Sequence, residues 1–392
     1  MNAANEVAPR SPAFNVDRLL DDRSIRIIVC CGSGGVGKTT TAAAMALRAA
    51  ERGRKVVVLT IDPARRLAQS MGLTELDNEP RLVLGTTGDG TLSAMMLDMK
   101  RTFDDFVEAN AEPERAATIL ANPFYQSLSS SFAGTQEYMA MEKLGQLRAF
   151  ADSTGAWDLI VVDTPPSRSA LDFLDAPRRL GSFLDGRFIR LLAAPAKAGG
   201  RAYLKLLSAG FGVFTSILGK LLGGQVLSDV QAFVGSVDTL FGGFRERADE
   251  TFAMLQADDT AFVVIATPER DALREAAYFV ERLETESMPL AGLVLNRVAS
   301  TDIPELDATT SIASAHRLDA ESDGRTSALL RIHAERASAL DRQRRLAERF
   351  TSAHRKVAVS TVPAMAADVI DLDSLRAVGA ALSAHGHSTK GG

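Results

Sequence analysis

The chain has 392 residues, enough for one large α/β domain with insertions or for two domains. Its 46% hydrophobic and 24% charged residues are ordinary for a soluble globular protein, and no run of about 18 apolar residues predicts a membrane span. A net charge of −5 gives no electrostatic reason to expect nucleic acid as a partner.

The N-terminal segment has neither the basic start nor the apolar run of a secretory signal, so we expect a cytoplasmic protein. Paired leucines near Lys205 and Lys220 are compatible with an added role at a membrane surface, which ranks below the main functions considered. Residues 1–20 are expected to form a loose leader, and residues 383–392 a polar tail. The two cysteines, Cys30 and Cys31, are adjacent, so they offer neither a disulfide between distant segments nor zinc-ligand spacing.

Six short apolar runs alternate with helical patterns along the chain. Each run is continuous rather than alternating, so we expect both faces of each strand to be covered. This order of elements predicts a doubly wound, mainly parallel α/β sheet. The predicted strands are 25–31, 55–60, 158–163, 262–266, 290–296 and 356–360, and a helix is predicted over 39–52.

Two segments interrupt this alternation of strands and helices. Residues 181–255 show no strand pattern, but apolar residues recur at helical spacing, which predicts a helical, apolar insert. The insert would divide the core into 21–180 and 256–382. Residues 301–326 are polar and patternless, which predicts a mobile loop.

The glycine-rich run from Gly32 to Thr39 fits the pattern G-x-x-x-x-G-K-[ST], with a predicted strand before it and a predicted helix after it. Such a loop directs backbone N–H groups at phosphates, and the helix N-terminus adds positive potential. Lys38 should reach the β- and γ-phosphates of ATP, and the Thr39 hydroxyl should bind Mg²⁺. The residues expected to hold the phosphates are Gly34, Gly35, Val36, Gly37, Lys38, Thr39 and Thr40.

A magnesium triphosphate site also needs carboxylates near the metal, and two aspartates stand at predicted strand ends. Asp163 closes an apolar strand, which is where a Walker-B carboxylate belongs. Asp62 comes just after the strand 55–60. We expect both to act on Mg²⁺ through water, with Thr39 as a further ligand, and both to serve in catalysis with Lys38.

These motifs resemble the arsenite-pump (ArsA-like) ATPase family, which includes the tail-anchored-protein targeting ATPases, from about Arg26 to Gly379. The loop resembles the family's deviant Walker A loop. Later motifs resemble switch I, switch II, a strand-end motif, the adenine-recognising position and the loop that closes over the base. In that order they are Asp62-Pro63-Ala64, Asp163-Thr164-Pro165-Pro166-Ser167, Ala266-Thr267-Pro268-Glu269, Asn296-Arg297 and Val362-Pro363.

The resemblance implies an ATP-driven dimer whose two nucleotides face each other, with a helical subdomain that handles the cargo. It also implies a role for Asn296, Arg297 and Pro363 around the base. A hydrophobic helix or a membrane protein is the expected client, bound in an apolar groove of the insert; alternatively, the insert helices only pack against each other and the core. Metalloid transport is not expected, because both cysteines lie on the strand that enters the loop.

The sequence departs from the family pattern at three places. Ser33 stands where a signature lysine usually reaches the partner's phosphates, and Gln69 stands where switch I usually has a water-positioning aspartate. Arg168-Ser169 replaces the usual Gly-His pair of switch II. We expect Gln69 to take part in catalysis by orienting water, because a glutamine can do so although it is a poor general base. Arginines that could supply the missing charge in cis, each also interpretable as an ordinary surface residue, are Arg65, Arg66 and Arg168.

Ser33 favours a heterodimer with a paralogue that keeps the signature lysine, and a homodimer is the alternative. Two other functions compete with a client-binding ATPase. One is a regulatory or structural subunit that binds nucleotide with little turnover. The other is a positioning ATPase like MinD or ParA, which is disfavoured because such chains usually lack a large helical insert. Kinase or GTPase activity is disfavoured too, because no guanine-recognition motif follows the strand that carries Asn296.

Overall fold

A computed structural model of the chain describes residues 11–61, 65–73, 76–123, 125–126, 129, 135–165, 240–301, 303, 305–320 and 323–384. The chain divides into two compact units. One comprises residues 1–96, 151–170 and 255–392, and the other comprises residues 97–150 and 171–254. This division does not follow the predicted ends of the insert, since 97–150 groups with 171–254.

The first unit is built on a sheet with the strand order β3-β4-β2-β5-β1-β6-β7-β8. Neighbouring strands are parallel, except for the antiparallel pair β3 and β4. The mainly parallel α/β sheet predicted from the sequence is therefore confirmed. The strands are β1 Ile27–Gly32, β2 Lys55–Thr60, β3 Arg81–Leu82, β4 Thr91–Met96, β5 Leu159–Asp163, β6 Thr260–Ala266, β7 Leu290–Val298 and β8 Val359–Pro363.

Helices flank these strands or belong to the second unit. Among the described residues, no helix is both long and apolar enough to cross a lipid bilayer. The helices are α1 Val16–Asp21, α2 Lys38–Glu51, α3 Arg65–Ser70, α4 Met99–Asn110, α5 Pro113–Leu120, α6 Thr135–Thr154, α7 Leu240–Gln256, α8 Arg270–Thr285, α9 Ala308–Ala320, α10 Gly324–Ala353 and α11 Leu372–Ala384.

The core of the first unit lies between the central strands and the helices that cover them. Every residue of β1, β5 and β6 is buried, which explains their continuous apolar sequences. Helix α2 presents a row of buried alanines, including Ala42, Ala46 and Ala49. Small side chains let a helix backbone approach a sheet closely, so α2 can pack tightly against the strands.

The structure adds two strands that were not predicted from the sequence. Strand β4 pairs in parallel with β2, and the short β3 pairs with β4 at the edge of the sheet. Burial along β4 is mixed, with Thr91 exposed and Ser93 half-buried. Its sequence therefore has neither the continuous apolar run of a central strand nor strict alternation.

The prediction of a mobile loop over 301–326 is wrong for much of that segment. Residues 308–320 form α9, whose N-terminus is capped by Asp307, with a 2.7 Å bond from the Thr310 N–H to Oδ1. The buried positions of α9 include Ser311 and Ala315, which carry small side chains. A helix that packs through such residues leaves little apolar periodicity in the sequence.

The prediction of a loose leader is also wrong for the residues from Ala13 onward. Phe14 and Val16 are buried, and the Phe14 N–H donates to the Val359 carbonyl at 3.0 Å. The predicted tail begins inside α11, where Ser383 is buried. Residues 1–10 and 385–392 lie outside the described part of the chain.

Asp17 joins α1 to two other helices. Its carboxylate accepts bonds from Arg48 Nε and Nη2 on α2, at 2.6 and 2.8 Å, and from Ser383 Oγ on α11 at 2.7 Å. The bond from Arg48, aided by Ser383 and opposed by burial, lowers the pKa of Asp17 from 3.8 to about 2. The ion pair therefore stabilises the fold at every pH at which the Asp17 carboxylate is ionised.

We expect Asp17→Asn to lower the free energy of unfolding at pH 7 by about 1 kcal/mol, since the pair is partly exposed. Because the folded-state pKa is depressed, this contribution is fully present above pH 4 and is lost as the pH falls towards 2. Urea unfolding of both proteins across this range checks it. A difference between them that is the same at pH 7 and at pH 2.5 would contradict the assignment.

Candidate functional site

The glycine-rich loop lies at the carboxyl end of the central strand of the sheet. Strand β1 ends at Gly32, the loop follows, and α2 begins at Lys38. Strand β1 runs between β5 and β6, and all three are parallel, so their carboxyl ends meet at one edge. The first backbone N–H groups of α2 point out of this edge, which is a favourable position for an anion.

Two positions of the loop require glycine, Gly32 because of a close backbone contact and Gly37 because of its backbone conformation. A methyl group at Gly32 would lie 2.1 Å from the carbonyl oxygen of Ile265, which allows no side chain there. Gly37 has φ +91° in the left-handed region, and a methyl group there would lie 2.4 Å from Asn296 Nδ2. The backbone of the loop is therefore packed against both β6 and β7.

Lys38 is folded back over the loop rather than extended into solvent. Only 7% of the residue is exposed, and its Nζ donates to the Ser33 carbonyl oxygen at 2.9 Å. This contact holds the ammonium group beside the loop, where phosphates are expected. The backbone carbonyl of Ser33 thus receives the ammonium group of Lys38.

Asp163 is fully buried at the end of β5, and hydroxyls from two neighbouring elements reach it. Thr39 Oγ1 on α2 donates to Asp163 Oδ2 at 2.6 Å, and Thr60 Oγ1 at the end of β2 donates to the same oxygen at 2.9 Å. The Ile61 N–H also donates to the Asp163 carbonyl at 3.0 Å. The structure thus brings together Thr39 and Asp163, two of the three residues predicted to bind the metal.

Thr60 is a site residue that the sequence analysis missed. It lies opposite Asp163 in the register of β2 and β5. A polar residue closing an otherwise apolar strand was a signal for it, but only once β2 and β5 were known to be neighbours. The segment after β5 is tied to β1 in a similar way, since Thr164 Oγ1 donates to the Cys30 carbonyl at 2.9 Å.

The cysteines beside this site are buried in the sheet. Burial raises the pKa of the Cys30 thiol well above its usual value, and the nearby Asp163 carboxylate is the second-largest cause. Burial raises the pKa of Cys31 to about 12. Both thiols therefore stay protonated at neutral pH, and a protonated thiol is neither a nucleophile nor a good metal ligand.

Asn296 also contacts the loop. Its Nδ2 donates to the carbonyl oxygen of Val36 at 2.8 Å, and its Oδ1 accepts from the N–H of Arg297 at 2.9 Å. Arg297 is exposed and has φ +57°, unusual for a residue other than glycine. Pro363 closes β8 beside β7, where the Ala364 N–H donates to the Val298 carbonyl at 2.9 Å.

Of the remaining residues predicted to act in catalysis or to supply positive charge, the structure describes the side chain of Gln69 alone. Gln69 is exposed on the short helix α3. Asp62, Pro63, Ala64 and Arg168 lie outside the described residues, as do the side chains of Arg65 and Arg66. The catalytic roles predicted for Asp62 and Gln69 therefore stay predictions.

The groups that do converge are an ammonium, a helix N-terminus, a hydroxyl and a buried carboxylate. The first two suit a polyphosphate, because they place positive potential against its oxygens. The last two are hard oxygen donors of the kind that Mg²⁺ prefers, and Mg²⁺ commonly completes its shell with waters and phosphate oxygens. The arrangement is able to hold a magnesium polyphosphate.

Comparison with known proteins agrees with this chemistry. Residues 25–319 match the profile of the anion-transporting ATPase family, ArsA_ATPase. The chain is 29% identical over 292 residues to "ATPase get3" of Aspergillus terreus, covering 72% of this chain and 76% of that protein. It is 28% identical over 305 residues to "ATPase GET3" of Paracoccidioides lutzii and to that of Paracoccidioides brasiliensis, in each case covering 76% of this chain and 80% of the relative.

Proposed function

Because the chain belongs to the anion-transporting ATPase family and is therefore an ATP-binding ATPase, we propose that it acts as a nucleotide-gated dimer whose helical segment binds a hydrophobic client. The observation that carries the nucleotide part of this proposal is the convergence of Lys38, Thr39 and Asp163 at the carboxyl edge of the sheet. Each of the three has a distinct task in a reaction at a terminal phosphate.

Thr39 and Asp163 would hold Mg²⁺, which when bound would neutralise charge on the phosphates. Lys38 would leave the Ser33 carbonyl, at 2.9 Å, for the β- and γ-phosphate oxygens. The loop backbone and the first turn of α2 would orient the terminal phosphate, and Thr60 would keep the Asp163 carboxylate in place. We assign Asp62 and Gln69 to the attacking water, Asp62 also acting on Mg²⁺ through water.

Base recognition in this proposal falls to Asn296, Arg297 and Pro363. Asn296 and Arg297 lie at the carboxyl end of β7, and Pro363 ends the adjacent β8. They are therefore on the same edge of the sheet as the loop, where a nucleotide bound through its phosphates would extend its base.

Ser33 is the reason for preferring a heterodimer over a homodimer. In a homodimer, neither site would receive a lysine from the partner's loop at this position. In a heterodimer with a lysine-bearing paralogue, the partner would complete this chain's site, and this chain would leave the partner's site without the second cation. Positive charge near the transferred phosphoryl group typically has a large effect on the rate.

The client would bind to the predicted insert, 181–255. Of this segment, only 240–255 is described, and it forms most of helix α7. The proposal rests on the apolar residues that recur at helical spacing in the sequence. A hydrophobic helix, from a membrane protein in transit, has the chemistry that such a surface would accept, and the setting would be the cytoplasm with contact at a membrane.

The second candidate function is a regulatory or structural subunit that binds ATP without appreciable turnover. Ser33 and the exposed Gln69 favour it, because both are expected to weaken the chemical step without preventing binding. The two candidates share the nucleotide site, so they differ only in rate and in dependence on a partner.

Steady-state ATP hydrolysis by the purified chain over a range of protein concentrations separates these possibilities. We expect tight Mg-ATP binding with very low turnover at every concentration, rising when a lysine-bearing paralogue is added. Mass measured alongside gives the oligomeric state. A dimeric mass with activity that rises more steeply than protein concentration would contradict the heterodimer and establish a self-sufficient homodimer. No binding of Mg-ATP would overturn the proposed function.

A further inference from the structure

We propose that Asn296 is a positioning residue that keeps the glycine-rich loop in its phosphate-binding shape before any nucleotide arrives. This inference rests on the proposed nucleotide site and goes beyond base recognition. Its basis is the 2.8 Å bond from Asn296 Nδ2 to the Val36 carbonyl, which joins two residues 260 positions apart in the sequence. The bond crosses from the end of β7 to the loop between β1 and α2.

The orientation of the Asn296 amide is determined by its neighbours. The Arg297 N–H can only donate, so the atom 2.9 Å from it must be the oxygen. The Val36 carbonyl can only accept, so the atom 2.8 Å from it must be the nitrogen. Exchanging the two atoms would place the amide nitrogen against the Arg297 N–H and the amide oxygen against the Val36 carbonyl. Neither pair could form a hydrogen bond, so only the present orientation satisfies both contacts.

The contact is buried, so its loss has a cost. Asn296 is 9% exposed and Val36 is 2% exposed. A carbonyl at this depth that loses its partner is poorly compensated by water, whereas an exposed one is compensated easily. Gly37 follows Val36 in the loop, and a methyl group at Gly37 would lie only 2.4 Å from Asn296 Nδ2. The amide therefore bonds to one loop residue and packs against the following one.

The same geometry leaves part of the amide available for a ligand. Nδ2 carries two hydrogens and Oδ1 has two lone pairs, and one of each is used in the described contacts. Asn296 could therefore contact a base while it holds the loop. A role in base recognition alone and a role in holding the loop make different predictions for a ligand that has no base.

Inorganic tripolyphosphate with Mg²⁺ is such a ligand, since it keeps the phosphates and lacks the nucleoside. We expect Asn296→Ala to weaken binding of both Mg-ATP and Mg-tripolyphosphate by similar factors of about tenfold, because the loop that holds the phosphates is perturbed in both cases. Asn296→Asp serves as a second variant. It keeps the volume but places an oxygen against the Val36 carbonyl, so it should give at least as large a loss.

Hydrogen exchange of the nucleotide-free protein provides a readout that needs no ligand. Backbone amides in residues 33–38 should exchange faster in Asn296→Ala than in the parent. The matched control is Asn110→Ala, which removes an amide-to-carbonyl bond of the same length, 2.8 Å to Phe106, from α4 in the other unit. It should change neither the exchange of the loop nor the affinity for either ligand.

Weaker ATP binding with unchanged tripolyphosphate binding and unchanged loop exchange would overturn the proposal and assign Asn296 to the base alone. If neither ligand's affinity nor the loop exchange changes, the contact has no positioning role. Failure of the parent to bind either ligand would instead contradict the nucleotide site, and the exchange measurement would still report on the bond.

Discussion

Lys38→Ala should lower the affinity for Mg-ATP by two to three orders of magnitude. A contact from an ammonium to a phosphate contributes about 1.5–3 kcal/mol, and Lys38 is expected to reach both the β- and γ-phosphates. Lys38 is also almost fully buried, and its attraction to a phosphate is stronger where water is excluded. Isothermal titration of the purified variant with Mg-ATP measures the effect directly.

Lys55→Ala is the matched control for this experiment. Lys55 is an exposed lysine at the start of β2, at the opposite end of that strand from Thr60, and its Nζ lies 3.4 Å from the Gly155 carbonyl. Its removal should leave the affinity for ATP unchanged. A Lys38→Ala protein that is folded by circular dichroism and binds Mg-ATP like the parent would show that the loop does not hold the phosphates.

Asp163→Asn should remove most of the strengthening that Mg²⁺ gives to ATP binding, and should lower any turnover at least about a hundredfold. The substitution keeps the shape of the side chain and removes its charge, so Mg²⁺ would lose the carboxylate that is proposed to hold it at the end of β5. Binding of ATP without Mg²⁺ should change much less. Titrations with ATP at a series of Mg²⁺ concentrations separate the two effects.

The control for the carboxylate is Asp271→Asn, because Asp271 is highly exposed in the first turn of α8 and pairs only with Arg274 at 3.1 Å among the described residues. ATP binding by the Asp271→Asn protein should depend on Mg²⁺ in the same way as ATP binding by the parent. If Asp163→Asn retains both the parent's Mg²⁺ dependence and its turnover, Asp163 acts only through its bonds to Thr39 and Thr60.

The parts of the fold that the sequence predicted well are those in which one physical cause dominates. Strand β2 was predicted with its observed ends, Lys55–Thr60, because a central parallel strand must be apolar on both faces. The loop was predicted because its glycines, Lys38 and Thr39 are needed in a fixed order. Strand β4 and helix α9 were missed, since partial burial and small buried side chains leave no regular apolar period.

Contacts across the sheet could not be predicted, because they depend on strand order. Thr60 reaches Asp163 only because β2 and β5 are neighbours, and Asn296 reaches Val36 only because β7 ends near the loop. Arg54 is the clearest case. It looks like a surface residue after a helix, yet it is fully buried and bonds to Asp158 Oδ1 at 2.7 Å and to the Ile25 carbonyl at 2.7 Å.

The position of β1 between β5 and β6 has a consequence for synthesis on the ribosome. Strand β1 and the loop that follows it are translated well before the two strands that flank β1 in the sheet, Leu159–Asp163 and Thr260–Ala266. At cellular elongation rates, the interval is on the order of 10 to 50 s. During that time the nascent chain carries an apolar strand without partners and a loop without Asp163 or Asn296. Strand β1 can therefore be paired on both sides, and the loop completed, only after Thr260–Ala266 has been made.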